Sequence, residues 1–304
     1  MPPIFWTGKL SLPMKVVLNT SNLLAWITGN ARDTFAMKQR MKRGYEGAFS
    51  NDISRYDELG LGHYTKISRS LLDNIEVKGK EVIDIGCGTG ILSLLALKNG
   101  VSKVTCCDIS EYMLSHCRDK LTEHGYKSDQ VDFHITDAEE MPFEDNSFDI
   151  AFSSMVLGLA PNQSEVMAEI YRIVKSGGLI ALATHGTEHY AEASEATVRK
   201  LPKRYVLGYR MEFFPISERN LQKMLIHGGF TNVKTSRVMW KEDFKSGSDL
   251  YDFFVSTSSG WWYDKLPSDK ITIVANNIKR YLDRKRITQL SQDVVLAFGN
   301  KPVN

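Results

Sequence analysis

The chain has 304 residues, a formal net charge of +2, 42% hydrophobic residues and 24% charged residues. A charge so close to zero gives no overall pull toward nucleic acid, and no apolar run reaches the roughly 20 residues that span a bilayer. The apolar content suffices for a sizeable core, so a globular chain of one large or two modest domains is expected.

The opening Met1-Pro2-Pro3-Ile4-Phe5-Trp6 lacks a charged start followed by a clean apolar stretch, and Lys15, Asn19 and Asn22 interrupt the next candidate. No cleaved signal peptide is read, and a cytoplasmic location is expected. Val16, Val17, Leu23, Leu24 and Ile27 recur near helical spacing, with Gly29-Asn30 as the stop. Asp33 to Arg43 carries Lys38, Arg40, Lys42 and Arg43, which reads as a solvated helix face. Trp6 and Trp26 leave a second reading open, peripheral membrane contact through residues 1–45.

The strand Glu81 to Ile85 runs into three glycines at alternate positions, Gly86, Gly88 and Gly90, and a helical run follows from Ile91 to Leu97. Glycines let the backbone turn sharply and approach a ligand, and the helix start presents free N–H groups. A second strand, Lys103 to Cys107, ends in Asp108, about 20 residues past the glycines, the spacing at which a carboxylate meets ribose hydroxyls. Ser110 is placed to cap the next helix. A third strand, Val131 to Ile135, leads into the acidic segment Asp137 to Phe143, and a fourth, Phe148 to Phe152, ends at Ser153-Ser154-Met155. Then come a helix from Gln163 to Val174, a Gly177-Gly178 turn and a fifth strand, Leu179 to Thr184. Ser217 is placed to cap a helix from Glu218 to His227, Gly228-Gly229 stops it, a sixth strand begins at Phe230 to Thr235, and the last is Val294 to Phe298.

Which nucleotide the turn holds depends on two residues. The dinucleotide pattern is G-x-G-x-x-G, but here the third glycine comes one position early and Ile91 stands in its place. Asp84, two positions before the first glycine, would repel a pyrophosphate and suits a cationic ligand. The stretch Asp84-Ile85-Gly86-Cys87-Gly88-Thr89-Gly90 resembles the first motif of class I S-adenosylmethionine (SAM) methyltransferases. Glu169-Ile170-Tyr171-Arg172-Ile173-Val174-Lys175-Ser176-Gly177-Gly178 looks like their small-molecule branch, which includes the ubiquinone/menaquinone-biosynthesis C-methyltransferases. The resemblance is specific over residues 75–185, weaker over 215–300 and slight before 60.

The resemblance implies an α/β, Rossmann-like seven-stranded sheet flanked by helices, closed by an antiparallel hairpin, with a helical N-terminal segment and helical cap insertions. Three regions are expected: 1–75 covering the cofactor site, 76–185 binding SAM, and 186–304 completing the sheet. It implies that Asp84, Gly86, Cys87, Gly88, Thr89 and Gly90 hold the methionine part, Asp108 the ribose, and Asp137 with Ala138 the adenine. Ile109, Met113, Glu139, Ser153 and Tyr64 complete the expected cofactor set, with S-adenosylhomocysteine (SAH) as product.

Methyl transfer is an in-line displacement, so a base is needed only if the nucleophile starts protonated. Many relatives carry a histidine after the fourth strand, whereas this chain reads Val156-Leu157-Gly158-Leu159-Ala160. His185 and His189 remain as candidate catalytic bases. Two insertions, His185 to Pro215 and Trp240 to Ile287, are placed to supply acceptor contacts. The second holds Tyr251, Phe253, Phe254, Trp261, Trp262 and Tyr263, which either pack a helical cap or line an apolar pocket. The segment Ser153-Ser154-Met155-Val156 lacks the Asn/Asp-Pro-Pro-aromatic signature of nucleic-acid amino-methyltransferases, and the chain lacks the paired-glutamate loop of protein arginine methyltransferases. Cys87, Cys106, Cys107 and Cys117 show no zinc-ligand spacing, so buried free thiols are expected and no metal site. Unlike arsenite methyltransferases, the chain has no cysteine after Cys117.

The reading is a methyltransferase acting on a small apolar or aromatic metabolite at O, N or C. The alternatives are a membrane quinone-like or isoprenoid acceptor, a non-catalytic SAM- or SAH-binding protein, and a nicotinamide enzyme, which Ile91 and Asp84 disfavour. Neither oligomeric state nor acceptor is readable.

Overall fold

In a computed structural model of the protein, residues 62–202, 216–257 and 266–303 are described, with Val16, Thr20, Leu23 and Lys38 placed singly, each in helical conformation. Most of the two expected N-terminal helices, and Trp261, Trp262 and Tyr263, lie outside the described residues. The chain order is α1 (His63–Leu72), β1 (Glu81–Ile85), α2 (Ile91–Lys98), β2 (Lys103–Asp108), α3 (Glu111–Glu123), β3 (Val131–Ile135), β4 (Phe148–Ser154), α4 (Gln163–Ile173) and β5 (Val174–His185). It continues with α5 (Ala191–Lys200), α6 (Glu218–His227), β6 (Thr231–Asp243), α7 (Gly247–Thr257), α8 (Ser268–Arg284) and β7 (Gln289–Asn300).

The strands form one seven-stranded mixed sheet in the order β3-β2-β1-β4-β5-β7-β6. β1 pairs in parallel with β2 on one side and β4 on the other. The winding reverses between β1 and β4, and in open α/β sheets ligands bind at that reversal, outside the carboxyl ends of the strands. The turns that follow β1 and β4 are therefore the ones that matter.

Alternation along β1 sends its side chains to two covered faces, as a central parallel strand requires. Ile83 and Ile85 join Ile170 and Ile173 of α4, Leu221 and Leu225 of α6, and Ile180 and Leu182 of β5 in one fully buried cluster. Val82 and Asp84 face the other way, and α1 packs on α2 while α2 and α3 lie against β2. The expected caps form: Ser110 Oγ accepts from Met113 N at 3.4 Å, and Ser217 Oγ from Asn220 N at 3.3 Å.

The fifth strand corrects the sequence reading. It begins at Val174, directly after α4, rather than at Leu179. The Gly177-Gly178 pair lies within it, Gly177 at φ 78°, and the register with β4 shifts between Phe148 and Ile150. A Cβ on Gly178 would lie 2.8 Å from the Asp149 carbonyl, so the glycines permit an irregularity inside a strand where a turn between elements was expected. β6 and β7 also run longer than expected, to Asp243 and from Gln289.

The contacts divide the chain into two compact units. One comprises residues 38–184, 216–237 and 294–304, and the other residues 1–37, 185–215 and 238–293. In the second, Tyr251, Phe253 and Phe254 of α7 are buried. Tyr190 meets Phe254 edge-on at 5.7 Å and Phe253 at 6.2 Å. These aromatics pack a helical unit, the first of the two readings the sequence left open.

Neighbouring positions on α6 give a test of the core. Leu225 is fully buried and Ile226 is 55% exposed. Leu225→Ala is expected to lower unfolding free energy by about 2–5 kcal/mol, and Ile226→Ala by less than about 0.5 kcal/mol, in urea titrations.

Candidate functional site

The turn after β1 is built from backbone. The Gly86 and Cys87 amides donate to the Cys107 carbonyl at 2.7 and 2.8 Å, and the Gly90 amide to the Cys87 carbonyl at 2.9 Å. All three glycines have positive φ: 70°, 53° and 81°. A Cβ on Gly86 would collide with Val156, and one on Gly90 with the Cys117 sulfur. A Cβ on Gly88 would meet nothing within 4 Å. Two glycines are thus demanded by packing, while the middle one faces open space. Gly90 also caps α2 without a side-chain hydrogen bond, so N–H groups of the first turn are not met by a side chain of the cap residue.

Two buried carboxylates brace this turn. Asp108, at the end of β2, accepts from Gly88 N through Oδ2 and from Ser110 N through Oδ1, both at 2.9 Å. Burial pushes its pKa up. Each carboxylate oxygen can accept about two hydrogen bonds, so acceptor capacity remains for ligand hydroxyls. Asp84 is 1% exposed and accepts from Ser93 Oγ at 2.6 Å. Burial, with Cys106 and Asp108 nearby, pushes it up to about 7, against the opposing hydrogen bonds from Ser93. Its carboxylate sits at the first turn of α2, where negative charge is favoured.

The acidic segment after β3 is fastened by α4. Glu169 Oε2 accepts from Met141 N at 2.7 Å, and Arg172 donates to the Met141 carbonyl at 2.9 Å and the Phe143 carbonyl at 2.5 Å. Asp137 Oδ1 accepts from Glu139 N at 3.0 Å, and Glu139 Oε1 from Asn162 N at 2.8 Å. Lys38 pairs with both carboxylates, at 2.5 Å to Asp137 and 2.8 Å to Glu139. The sequence reading of Lys38 as part of a solvated face is thereby corrected.

The remaining candidates fall as follows. Ser153, at the end of β4, is fully buried, and its hydroxyl has no hydrogen-bond partner among the described residues. Met155, two residues on, has φ 63°, a strained conformation for a non-glycine residue at the sheet's reversal. Met113 is buried on α3, Ile109 and Ala138 are half-buried, and Thr89 is 4% exposed. Tyr64, half-buried on α1, stacks edge-on with His63 at 4.9 Å.

His185 and His189 belong to the other compact unit, their rings 4.9 Å apart. His189 is fully buried, and its Nδ1 lies 2.9 Å from the Asp293 carbonyl. Burial holds its pKa down at about 4. It is neutral at pH 7 and a weak proton acceptor. Asp293 Oδ2 accepts from Glu188 N at 2.6 Å, and Gly186 lies against the same carboxyl group.

Sequence reasoning missed three features here: Val156 closing on Gly86, the left-handed Met155, and the Lys38 pairing. The first two arise from chain segments distant in sequence from the glycines. The third carried a signal, a basic run and an acidic run, but nothing fixed which lysine meets which carboxylate.

Comparison with known proteins agrees with this geometry. Residues 83–182 match the methyltransferase domain family. The segment is a methyltransferase domain of the class I, SAM-dependent type. S-adenosylmethionine is the cofactor of domains of that type. The open Gly88 position, the first turn of α2 and the buried carboxylate pair fit such a ligand, which carries cationic groups and no phosphate. The chain is 28% identical over 165 residues to malonyl-[acyl-carrier protein] O-methyltransferase of Serratia marcescens, covering 54% of this chain and 62% of that protein. It is 29% identical over 176 residues to ubiquinone/menaquinone biosynthesis C-methyltransferase UbiE of Hydrogenovibrio crunogenus, covering 56% and 65%. With aklanonic acid methyltransferase DauC of a Streptomyces species it shares 32% over 146 residues, covering 47% and 66%. The chain thus spans less than two thirds of the length of these relatives. Among solved structures, YcgJ of Bacillus subtilis superposes with a TM-score of 0.57 at 16% identity, covering 79% of this chain and 100% of YcgJ. Phosphoethanolamine N-methyltransferase 2 of Haemonchus contortus, in complex with SAM, gives 0.55 at 16% identity, covering 88% and 60%. These two share the fold.

The raised pKa of Asp84 makes stability depend on pH. A carboxyl group that holds its proton more tightly when folded contributes most below its unfolded value, near 4, and progressively less as pH rises toward 7. Asp84→Asn is expected to remove this dependence. The stability difference, Asp84→Asn minus the parent, should grow by about 1.4 kcal/mol per pH unit at most between pH 4 and 7, then level off. Denaturant midpoints across that range measure it.

Proposed function

We propose that this chain transfers a methyl group from S-adenosylmethionine to a small apolar or aromatic acceptor. The observation that carries the reading is Gly88: left-handed, facing open space, its N–H tied to Asp108 at the reversal of the sheet. When bound, the cofactor supplies a methyl group on a sulfonium, already a good leaving group. The chain's task is then to bind, orient and keep water out.

In this reading the Gly86–Gly90 turn and the open first turn of α2 receive the carboxylate of the methionine part. Asp84, whose pKa of about 7 a neighbouring cation would lower, favours the ammonium in its ionised form. Asp108 takes the ribose hydroxyls on its remaining lone pairs, with Ile109 and Met113 beside it. Asp137, Ala138 and Glu139 flank the adenine, whose exocyclic amine competes with Lys38 for Asp137. The buried Ser153 hydroxyl and Tyr64 complete the set. Malonyl-[acyl-carrier protein], aklanonic acid and ubiquinone/menaquinone biosynthesis appear in the names of the relatives, and these names support the reading without choosing within it.

For an acceptor that starts protonated, His185 is the base of choice. His189 is held near the Asp293 carbonyl with its pKa depressed to about 4, which leaves little driving force for accepting a proton. The cofactor would supply the methyl group on a leaving group, and taking up the proton of such an acceptor would fall to this chain, with His185 as the candidate.

Calorimetric titration of the purified chain with SAH tests the cofactor assignment first. Micromolar or tighter binding is expected, weakened by about tenfold or more in both Asp108→Ala and the near-isosteric Asp108→Asn. Undetectable SAH binding, or NAD binding in its place, overturns the reading.

Once an acceptor is found by methyl-transfer screening, His185→Gln should lower kcat by about 10²–10⁴-fold, leaving the SAH affinity unchanged. A kcat within twofold of the parent removes His185 from the chemistry. No turnover with any acceptor, despite tight SAH binding, would favour a cofactor-binding protein without catalysis.

A further inference from the structure

The cofactor site uses the backbone of Cys87 but not its sulfur. That sulfur lies beneath the glycine turn with two others. Cys87 comes from the turn, Cys106 from β2 and Cys117 from α3, and their three Sγ atoms all lie within 4.8 Å of one another. The three come from segments up to thirty positions apart. None has the close pairing in sequence that marks a zinc site, so only the fold reveals them as a group.

We propose that Cys87, Cys106 and Cys117 form a three-sulfur site for a single soft, thiophilic cation. The spacing suits this. A metal about 2.3 Å from each of three thiolates in a trigonal arrangement sets the sulfurs about 4 Å apart, inside the 4.8 Å bound. Thiolate sulfur selects soft ions over calcium, magnesium or manganese. Among the described residues no fourth His, Cys, Asp or Glu ligand joins the group, so a cation content with three sulfurs fits better than tetrahedral zinc.

The Cys106 thiol donates to Ser93 Oγ at 3.3 Å and the Cys87 thiol to the Gly88 carbonyl at 3.7 Å. On binding, the thiol protons leave to solvent and three metal–sulfur bonds form as water leaves the ion, with no change of oxidation state. Cys106 and Cys117 are fully buried, and Cys87, 8% exposed, is the point of entry. The fourth cysteine, Cys107, lies on the opposite face of β2, in the cluster with Ile83 and Ile85. It is a built-in control.

The site is coupled to the turn above it. The Cys117 sulfur is the atom that a Cβ on Gly90 would strike, and the Cys87 carbonyl accepts the Gly90 amide. Drawing the sulfurs onto a shared ion fixes the floor of the turn.

The test uses the full, reduced chain without added metal, titrated with cadmium(II) and followed by thiolate-to-metal charge-transfer absorption. One cadmium per chain is expected. Cys87→Ala, Cys106→Ala and Cys117→Ala should each weaken it by at least the roughly 10–100-fold that loss of an outer partner costs, and Cys107→Ala should bind as the parent does. Cys87→Ala, at the least buried of the three positions, keeps the test valid if either of the other variants fails to fold. Absence of the band, its full persistence in Cys87→Ala and Cys117→Ala, or an equal loss in Cys107→Ala overturns the proposal. None of these readouts depends on the cofactor assignment.

Discussion

The hydrogen bond from the Gly88 amide to the Asp108 carboxylate is the contact on which the cofactor site depends. It joins the turn after β1 to the end of β2, two strands that are neighbours in the sheet. The other carboxylate oxygen receives Ser110 N, which begins α3. One buried anion therefore sets the loop, the strand end and the helix start relative to one another. A buried charge is tolerated only when hydrogen-bonded, and here the backbone supplies those bonds. The result is a rigid turn in which only Gly88 looks outward.

The division of labour among the glycines follows from packing. Gly86 and Gly90 are compelled by Val156 and Cys117, while Gly88 is compelled by its φ alone. The motif thus encodes both the close approach of two other chain segments and the opening left for a ligand. Val156 belongs to the turn after β4, so the same constraint brings the two loops at the sheet's reversal together. That turn is where Met155 adopts its left-handed conformation, one residue before Val156 closes on Gly86.

Much of this was legible in the sequence, for physical reasons. β1, β2 and β4 are short apolar runs bounded by punctuation, and Ser110 and Ser217 are cap residues that do cap. The fifth strand was misjudged because Gly177-Gly178 carries the same signal for a turn and for an irregularity within a strand. The neighbouring strand's carbonyl, which decides between them, is not a local property. The same holds for the site: residues on consecutive loops could be placed, whereas Val156, Lys38 and the three-sulfur group are tertiary facts. The histidines show the limit from another direction. Their spacing is readable, but His189 is weakened as a base by burial, against the opposing pull of the Asp293 carbonyl more than a hundred positions away.

Lys38 brings these threads together. Asp137 and Glu139 are two carboxylates held close by their own backbone and by Asn162, an arrangement that repels itself without a cation between. The ammonium of Lys38 satisfies both, and their charge in turn raises its pKa against the desolvation that opposes it. A neutral amine arriving at Asp137 offers a weaker partner than an ammonium, since charge-assisted hydrogen bonds are roughly twice as strong as neutral ones. It gains by keeping Lys38 on Glu139 while taking one oxygen of Asp137, which leaves neither carboxylate without a donor. Under the proposed placement of adenine at Asp137, selectivity for its amino group over a carbonyl at the same ring position would follow from electrostatics, because a carboxylate repels an acceptor and welcomes a donor.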